Sequence, residues 1–380
     1  MQNKSKKIVY CTPSMYIAGG VERVLTTKAN YLAREGYEVT IILTDGKGKE
    51  LFFPLSEEVK VINLDIGFEE LWDKPFWQKT LLYVMKQRIY KRKLKKALME
   101  IRPDITISTL RREINFITSI PDGSKKIGEM HINRRNYRNF EANEANVLKS
   151  LFGKLWMAQL VKKLKRLDRM VVLTKEDAAA WREISRLSVI PNPLPVSEVR
   201  KTSTLEKKKV IAVGRYAHEK GYDLLLTAWK KVESQHPDWS LYVYGAGERR
   251  PYYDMGEGLG LKNCHLCDSA QDIWQKYADS SIFVCSSRFE GFGMVIIEAM
   301  SCGLPVVSFD CPCGPASLID NQKNGLLISN GDTDALAEGM IQLIDSPDKR
   351  QSFAKAAIEK AALYDINAIG KQWETLFDSL

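Results

Sequence analysis

Residues 286–300, Ser-Ser-Arg-Phe-Glu-Gly-Phe-Gly-Met-Val-Ile-Ile-Glu-Ala-Met, carry the densest chemistry in the chain. An apolar strand runs into a loop containing Gly291 and Gly293, and an apolar helix follows. Glycine lets backbone N–H groups come close to a ligand, and a helix N-terminus holds partial positive charge, so the pattern suits a phosphate. Glu290 stands in the loop. Glu298 lies eight residues on, about two turns into the helix. Its neighbours Ile296, Ile297, Ala299 and Met300 are apolar, which argues against a solvated face. A satisfied core carboxylate and a ligand-binding carboxylate both remain, and the adjoining loop favours the ligand.

A second constellation is Gly214-Arg215-Tyr216-Ala217-His218-Glu219-Lys220-Gly221, directly after the apolar run 210–213. Two cations in a strand-to-helix loop can neutralise a diphosphate leaving group as its charge develops, the task a divalent metal performs elsewhere. Alone, this would read as a surface loop with a Lys–Glu pair. Beside a phosphate cradle, the anion-binding reading is the stronger. Tyr244-Gly245-Ala246-Gly247-Glu248 also follows a strand but lacks the third glycine of a dinucleotide fingerprint.

The elements that must hold these loops alternate in type. In the first half, strands are expected at 7–12, 39–43, 59–64, 105–108, 126–129, 169–173 and 187–190. Helices are expected at 20–36, 76–101, 144–167 and 176–184. Such βα alternation implies a parallel sheet with helices on both faces. Pro191-Asn192-Pro193-Leu194-Pro195 stops both kinds of element, because proline lacks an N–H donor and restrains its neighbour. A polar stretch, 197–208, follows. The second half restarts with strands at 210–213, 240–244, 263–266, 281–285 and 305–308. Its helices are expected at 221–234, 270–278, 294–301, 333–344, 349–363 and 366–380. Two doubly wound α/β domains result, residues 1–192 and 193–364, with residues 365–380 a C-terminal helix packing back on the first domain. The loops at the carboxyl ends of both sheets would face a central cleft, the usual ligand position in open α/β folds.

Glu290 and Glu298 with Glu-Gly-Phe-Gly between them, Gly214-Arg215…Lys220-Gly221, Gly19-Gly20-Val21-Glu22-Arg23 and Ile190-Pro191-Asn192-Pro193, in this order, resemble the family-4 retaining GT-B glycosyltransferases. The resemblance covers the whole chain and is strongest from about 190 to 330. It implies two Rossmann-like domains, the second holding a nucleotide-sugar. Arg215 and Lys220, after Gly214, would contact the diphosphate. Glu290 would hold the sugar hydroxyls, while Gly291, Phe292, Gly293 and Met294 would line sugar and phosphate, offering backbone N–H groups from 292–294. Glu298 would bind the ribose diol, Gly245 would turn close to the donor, and Leu266-Cys267-Asp268 would hold the base through the backbone. Gly19 and Gly20 would close over the phosphates from the first domain. His131 stands where the family often has a histidine near the donor sugar. The catalytic set is then Glu290, His131, Arg215 and Lys220.

The implied reaction moves a hexose or N-acetylhexosamine from a nucleotide-sugar, UDP by default and GDP as the alternative, to a glycan or lipid-linked glycan of a cell-surface polysaccharide. No metal and no other cofactor is expected. Cys264-His265-Leu266-Cys267 straddles an expected strand end, and Cys311-Pro312-Cys313 is too tight for the usual zinc knuckle, so neither reads as a metal site.

Composition narrows the rest. The 380 residues are 44% hydrophobic and carry a net charge of +9. A basic surface attracts phosphates of any origin. Nucleic-acid binding would need aromatic-rich basic stripes or a known binding motif, and none stands out; it would also leave both loops unexplained. A GT-B-shaped epimerase or phosphorylase shares the architecture, although no lysine motif for pyridoxal phosphate appears. Residues 86–96 hold seven cations, and 162–166 form a second basic cluster. Either both are solvated helix faces or they touch anionic membrane peripherally. The start of the chain has no apolar signal core, and no run of eighteen apolar residues occurs, so the expected location is cytoplasmic.

Overall fold

The computed structural model describes residues 6–17, 19–134, 137, 147–195 and 201–380, with backbone alone at 76 and 147–152. Residues 144–146 of the helix expected over 144–167, and 197–200 of the polar stretch, lie outside the described residues. The chain forms two compact units, residues 1–195 with 366–380, and residues 196–365. The division falls after Pro195, at the end of the proline cluster, rather than after Asn192.

In the first unit the order is β1 (Lys7–Thr12), α1 (Gly20–Arg34), β2 (Glu38–Leu43), β3 (Lys60–Asn63), α2 (Phe76–Ile101), β4 (Ile105–Ser108), β5 (Lys125–Glu129), α3 (Val147–Leu164), β6 (Arg169–Val172), α4 (Lys175–Ala180) and β7 (Leu187–Val189). Its strands form one parallel sheet ordered β3-β2-β1-β4-β5-β6-β7. Strands covered on both faces read as continuous apolar runs, and Ile8, Val9, Tyr10 and Cys11 are all fully buried.

The second unit contains β8 (Lys209–Val213), α5 (Tyr222–Gln235), β9 (Ser240–Tyr244), α6 (Arg250–Leu259), β10 (Cys264–Cys267), α7 (Ile273–Ala278), β11 (Ile282–Cys285), α8 (Met294–Ser301), β12 (Val306–Phe309), α9 (Pro315–Leu318), β13 (Gly325–Ile328), α10 (Thr333–Asp345) and α11 (Pro347–Ala362). The sheet order is β10-β9-β8-β11-β12-β13, again parallel throughout. Both sheets therefore share the doubly wound order in which the chain reverses direction beside the first strand, and ligands bind at that switch point.

Three elements escape the sequence reading. Helix α6 carries Gly256 and Gly258, which lower helix propensity, and Pro251 in its first turn marks its start. Strand β13 is only four residues long and opens at Gly325, where a Cβ would stand 2.6 Å from the Val306 carbonyl oxygen. The third, α9, is a single turn.

The chain ends in α12 (Ile366–Asp378), which belongs to the first unit. Its Ile366, Ile369, Trp373, Leu376 and Phe377 join a buried cluster with Ile8, Tyr10, Leu25 and Ala29. Gly370 admits Tyr31: a Cβ there would come within 2.2 Å of the ring.

Candidate functional site

The switch point of the second unit lies between β8 and β11, so the loops following those strands are neighbours. Gly221 (φ +62°) makes their contact, and a Cβ on it would fall 2.1 Å from the Ser286 carbonyl oxygen. Ser286 Oγ donates to the Lys220 carbonyl at 2.9 Å. The Arg288 amide donates to the Glu219 carbonyl at 2.8 Å. Its guanidinium grips both Asp223 oxygens at 2.8 and 2.6 Å and reaches the His218 carbonyl at 2.9 Å. This bidentate bond holds the Asp223 carboxyl below the usual carboxylate range. Arg288 is therefore a strut between the loops, a role the motif pattern did not disclose.

Within this frame Lys220 Nζ donates to Glu290 Oε1 at 2.7 Å, and Ser287 Oγ donates to the same oxygen at 2.7 Å. The Lys220 and Glu290 side chains are only 16% and 10% exposed. Burial opposes the charge on Lys220, but the Glu290 carboxylate outweighs it, and the amine titrates above the ordinary lysine range. The stability this gives is fully present below the unfolded lysine value and is lost only as pH rises through the raised one. Lys220 is thus a charged, largely desolvated cation at neutral pH.

Arg215 behaves differently. Its side chain is 71% exposed and pairs with Glu219 at 2.8 Å, a surface contact of small worth. The two cations grouped by sequence are therefore one inward and one outward.

The Glu290 loop ends at Gly293 (φ +89°), the N-cap of α8, where no side chain caps the helix. Phe292 turns its ring into the core, 3% exposed and edge-on to Tyr364 at 5.7 Å, so only its backbone is free to face a ligand. Gly291 and Met294 are partly exposed. Glu298 is 4% exposed and accepts from Tyr277 Oη at 3.3 Å, across from α7.

Gly245 has a packing reason of its own: a Cβ there would stand 1.8 Å from the Gly214 carbonyl oxygen. Leu266 and Cys267 end strand β10 instead of forming a loop. The Leu266 carbonyl accepts from Tyr253 Oη at 2.7 Å, and the Cys267 carbonyl from Tyr216 Oη at 2.9 Å. Both carbonyls already have protein partners.

The remaining predicted residues lie in the first unit. Gly19 caps α1, where a Cβ would crowd only the flexible Glu22 carboxylate, and a Cβ on Gly20 would meet nothing within 4 Å. His131 follows β5, with Nε2 at 3.5 Å from Glu129 Oε1. Burial, with Lys28 and Arg111 and against Glu129, lowers its imidazole to about 4. It is neutral at pH 7.

Comparisons with known proteins agree with this architecture. Residues 18–198 match the profile "Glycosyltransferase Family 4", and residues 197–360 match "Glycosyl transferases group 1". An uncharacterized glycosyltransferase of Haemophilus influenzae is 27% identical over 377 residues, covering 97% of this chain and 99% of its own. The Campylobacter jejuni GalNAc-α-(1→4)-GalNAc-α-(1→3)-diNAcBac-PP-undecaprenol α-1,4-N-acetyl-D-galactosaminyltransferase is 27% identical over 362 residues, covering 94% of each chain. A Staphylococcus aureus TarM variant, solved with fondaparinux, α-GlcNAc-glycerol and UDP, shares the fold with a TM-score of 0.80 at 17% identity, covering 98% of this chain and 99% of that one. The chain belongs to the family-4 GT-B glycosyltransferases.

Lys220→Met should leave Glu290 buried without its cation and destabilise the second unit by about 3 kcal/mol. Adding Glu290→Gln should restore most of the loss. Denaturant unfolding of both variants checks this, and equal losses in single and double variants would show that the pair carries no coupling.

Proposed function

We propose that this glycosyltransferase is retaining and metal-independent, and that it moves a hexose or N-acetylhexosamine from a UDP-sugar to a glycan or lipid-linked glycan in cell-surface polysaccharide synthesis. The observation that carries the reading is the junction of Lys220, Glu290 and the uncapped α8 N-terminus at the β8/β11 switch point. A largely buried, charged lysine and helix N–H groups suit a diphosphate, and both act most strongly where water is excluded. Lys220 would pass from Glu290 to the diphosphate as the donor enters, freeing a Glu290 oxygen for the sugar hydroxyls. Arg215 would leave its weak pair with Glu219 to join it. Glu298 would take the ribose diol. Gly214 and Gly245 would keep the adjoining turns close to the donor. With Leu266 and Cys267 carbonyls already engaged, backbone beyond Cys267 would meet the base.

In the transfer, the anomeric carbon–phosphate oxygen bond breaks and an acceptor oxygen–carbon bond forms on the same face. The acceptor proton passes to a donor phosphate oxygen. Lys220 and Arg215 neutralise the charge that develops on the leaving UDP, the task otherwise given to a metal. The α linkage named for the Campylobacter jejuni protein and for the TarM ligand supports retention, since the common UDP-hexoses are α-linked, and the UDP in that complex supports the base. Turnover of a UDP-sugar panel with a glycan acceptor tests this. Activity should survive EDTA, and proton NMR of the first product should show an α anomeric signal. A β signal, or loss with EDTA rescued by manganese, would contradict it.

Peripheral docking on anionic membrane has its own support. No helix among the described residues is long and apolar enough to cross a membrane. Helix α2, however, exposes Trp77, Leu81 and Val84, followed at the same three- and four-residue spacing by Arg88, Lys91 and Lys95. Trp77 and Leu81 are 67% and 63% exposed, and Trp72, just before the helix, is 66% exposed. One face thus starts apolar and becomes basic, the pattern of a helix lying in a headgroup layer. The protein should sediment with anionic liposomes at low salt and be released at high salt. Trp77→Ser with Leu81→Ser should weaken recovery. Equal recovery with neutral liposomes would remove this part of the proposal.

A further inference from the structure

Behind the first unit's switch point lies a buried charge cluster that the donor-site reading does not use. Lys28 projects from α1 and Glu129 ends β5, and each side chain is 2% exposed. Lys28 Nζ bonds both Glu129 oxygens, the second at 2.5 Å. The ammonium also sits over the Trp373 ring of α12 at 4.4 Å and the Tyr10 ring of β1 at 5.3 Å. Two aromatic faces and a carboxylate thus enclose it, a setting that stabilises a desolvated cation. Among the described residues, the charged groups acting on His131 are one carboxylate, Glu129, and two cations, Lys28 and Arg111. The His131 side chain is 5% exposed, and its Nδ1 is buried with no hydrogen-bond partner among the described residues.

A buried histidine 3.5 Å from an unpaired carboxylate would take up a proton and form an ion pair with it. Here the carboxylate is already neutralised by a second cation, so a charged imidazole would bury an excess positive charge. We propose that Lys28 is a positioning residue for His131: by occupying both oxygens of Glu129, it keeps the imidazole uncharged at neutral pH and available as a neutral hydrogen-bonding group. The consequence for activity rests on reading His131 as a donor-sugar contact; the charge assignment does not.

The direction of the imidazole shift, down to about 4, agrees with this arrangement. Among the described residues, helix α12 contributes the Trp373 ring and no charge that acts on His131, while β1 adds the neutral Tyr10. Lys28 also ties three separated segments together, which gives its removal a structural effect as well. A readout of protonation is therefore needed beside a readout of rate.

Imidazole carbon and nitrogen NMR of the full-length protein provides it, since the chain has four histidines and His131→Asn assigns the signal. In the wild type, His131 should stay neutral from pH 8 down to pH 5; a midpoint near the ordinary histidine value would overturn the proposal without any variant. In Lys28→Met, the midpoint should rise by about two pH units or more, because Glu129 is left without a cation. Adding Glu129→Gln should bring it down again. An unmoved midpoint in Lys28→Met would overturn the assignment, showing that Glu129 had taken the proton instead. If Lys28→Met does not fold, Glu129→Gln alone decides: His131 must remain neutral, and a raised midpoint would contradict the role given to the carboxylate. The kcat–pH profile of Lys28→Met then separates the two readings. A new loss of activity between pH 6 and 8 that follows His131 protonation supports both, whereas a shifted midpoint with an unchanged profile supports the charge assignment and retires the sugar contact.

Discussion

The approach of two backbones at Gly221 and Ser286 is the constraint on which the second unit's site depends. In a doubly wound parallel sheet, the loops after neighbouring strands lead to helices on the same face, except where the strand order reverses and they lead to opposite faces, leaving a crevice between them. At that point β8 and β11 pair through Ile282 with Val210 and Phe283 with Ile211, and the loops that follow share one space. They can close only because position 221 has neither a Cβ nor a barrier to positive φ. The Arg288–Asp223 fork then locks the distance. Lys220 and Glu290, 70 residues apart in sequence, meet as a consequence of this geometry.

The meeting changes how the two residues should be understood. A lysine on an open loop would be a solvated point charge with little preference for any anion. Held against Glu290 with little exposure, it remains ionised and has given up most of its water. An exchange of one oxygen partner for another would then require little reorganisation, which is the property that makes preorganised charge effective. It also means that the Glu290 carboxylate and the Lys220 cation are not independent groups. The first unit repeats the strand order but places its buried cation, Lys28, behind the loops against Glu129, where it acts on a neighbouring side chain.

Much of this was legible in the sequence, for identifiable reasons. Helices α2 and α8 and strands β4 and β9 have the expected bounds because proline, glycine or a polar step marks their ends. Glu298 was readable as buried because its helix is apolar on every side. The return of α12 to the first unit's core was expected, although its amphipathic face alone does not say which core it fits. Helix α6 and strand β13 were hidden by glycines whose packing reasons are tertiary. Arg288, Asp223 and Ser287 were also missed. Their role is to hold other residues, and only the strand order reveals which residues those are. Lys28 lay in the middle of an amphipathic helix, where a lysine is ordinarily solvated, and its partner is 101 residues away.

The central claim is that a nucleoside diphosphate sits at the β8/β11 switch point, and backbone amide chemical-shift mapping with UDP measures it most directly. The account predicts that the largest shifts on titration fall on the amides of residues 214–221 and 291–295, with saturation at a common affinity. Strand amides at the opposite end of the same sheet, such as 209 and 240, should be nearly still. Shifts confined to the first unit, or spread over exposed lysines without saturating, would contradict it.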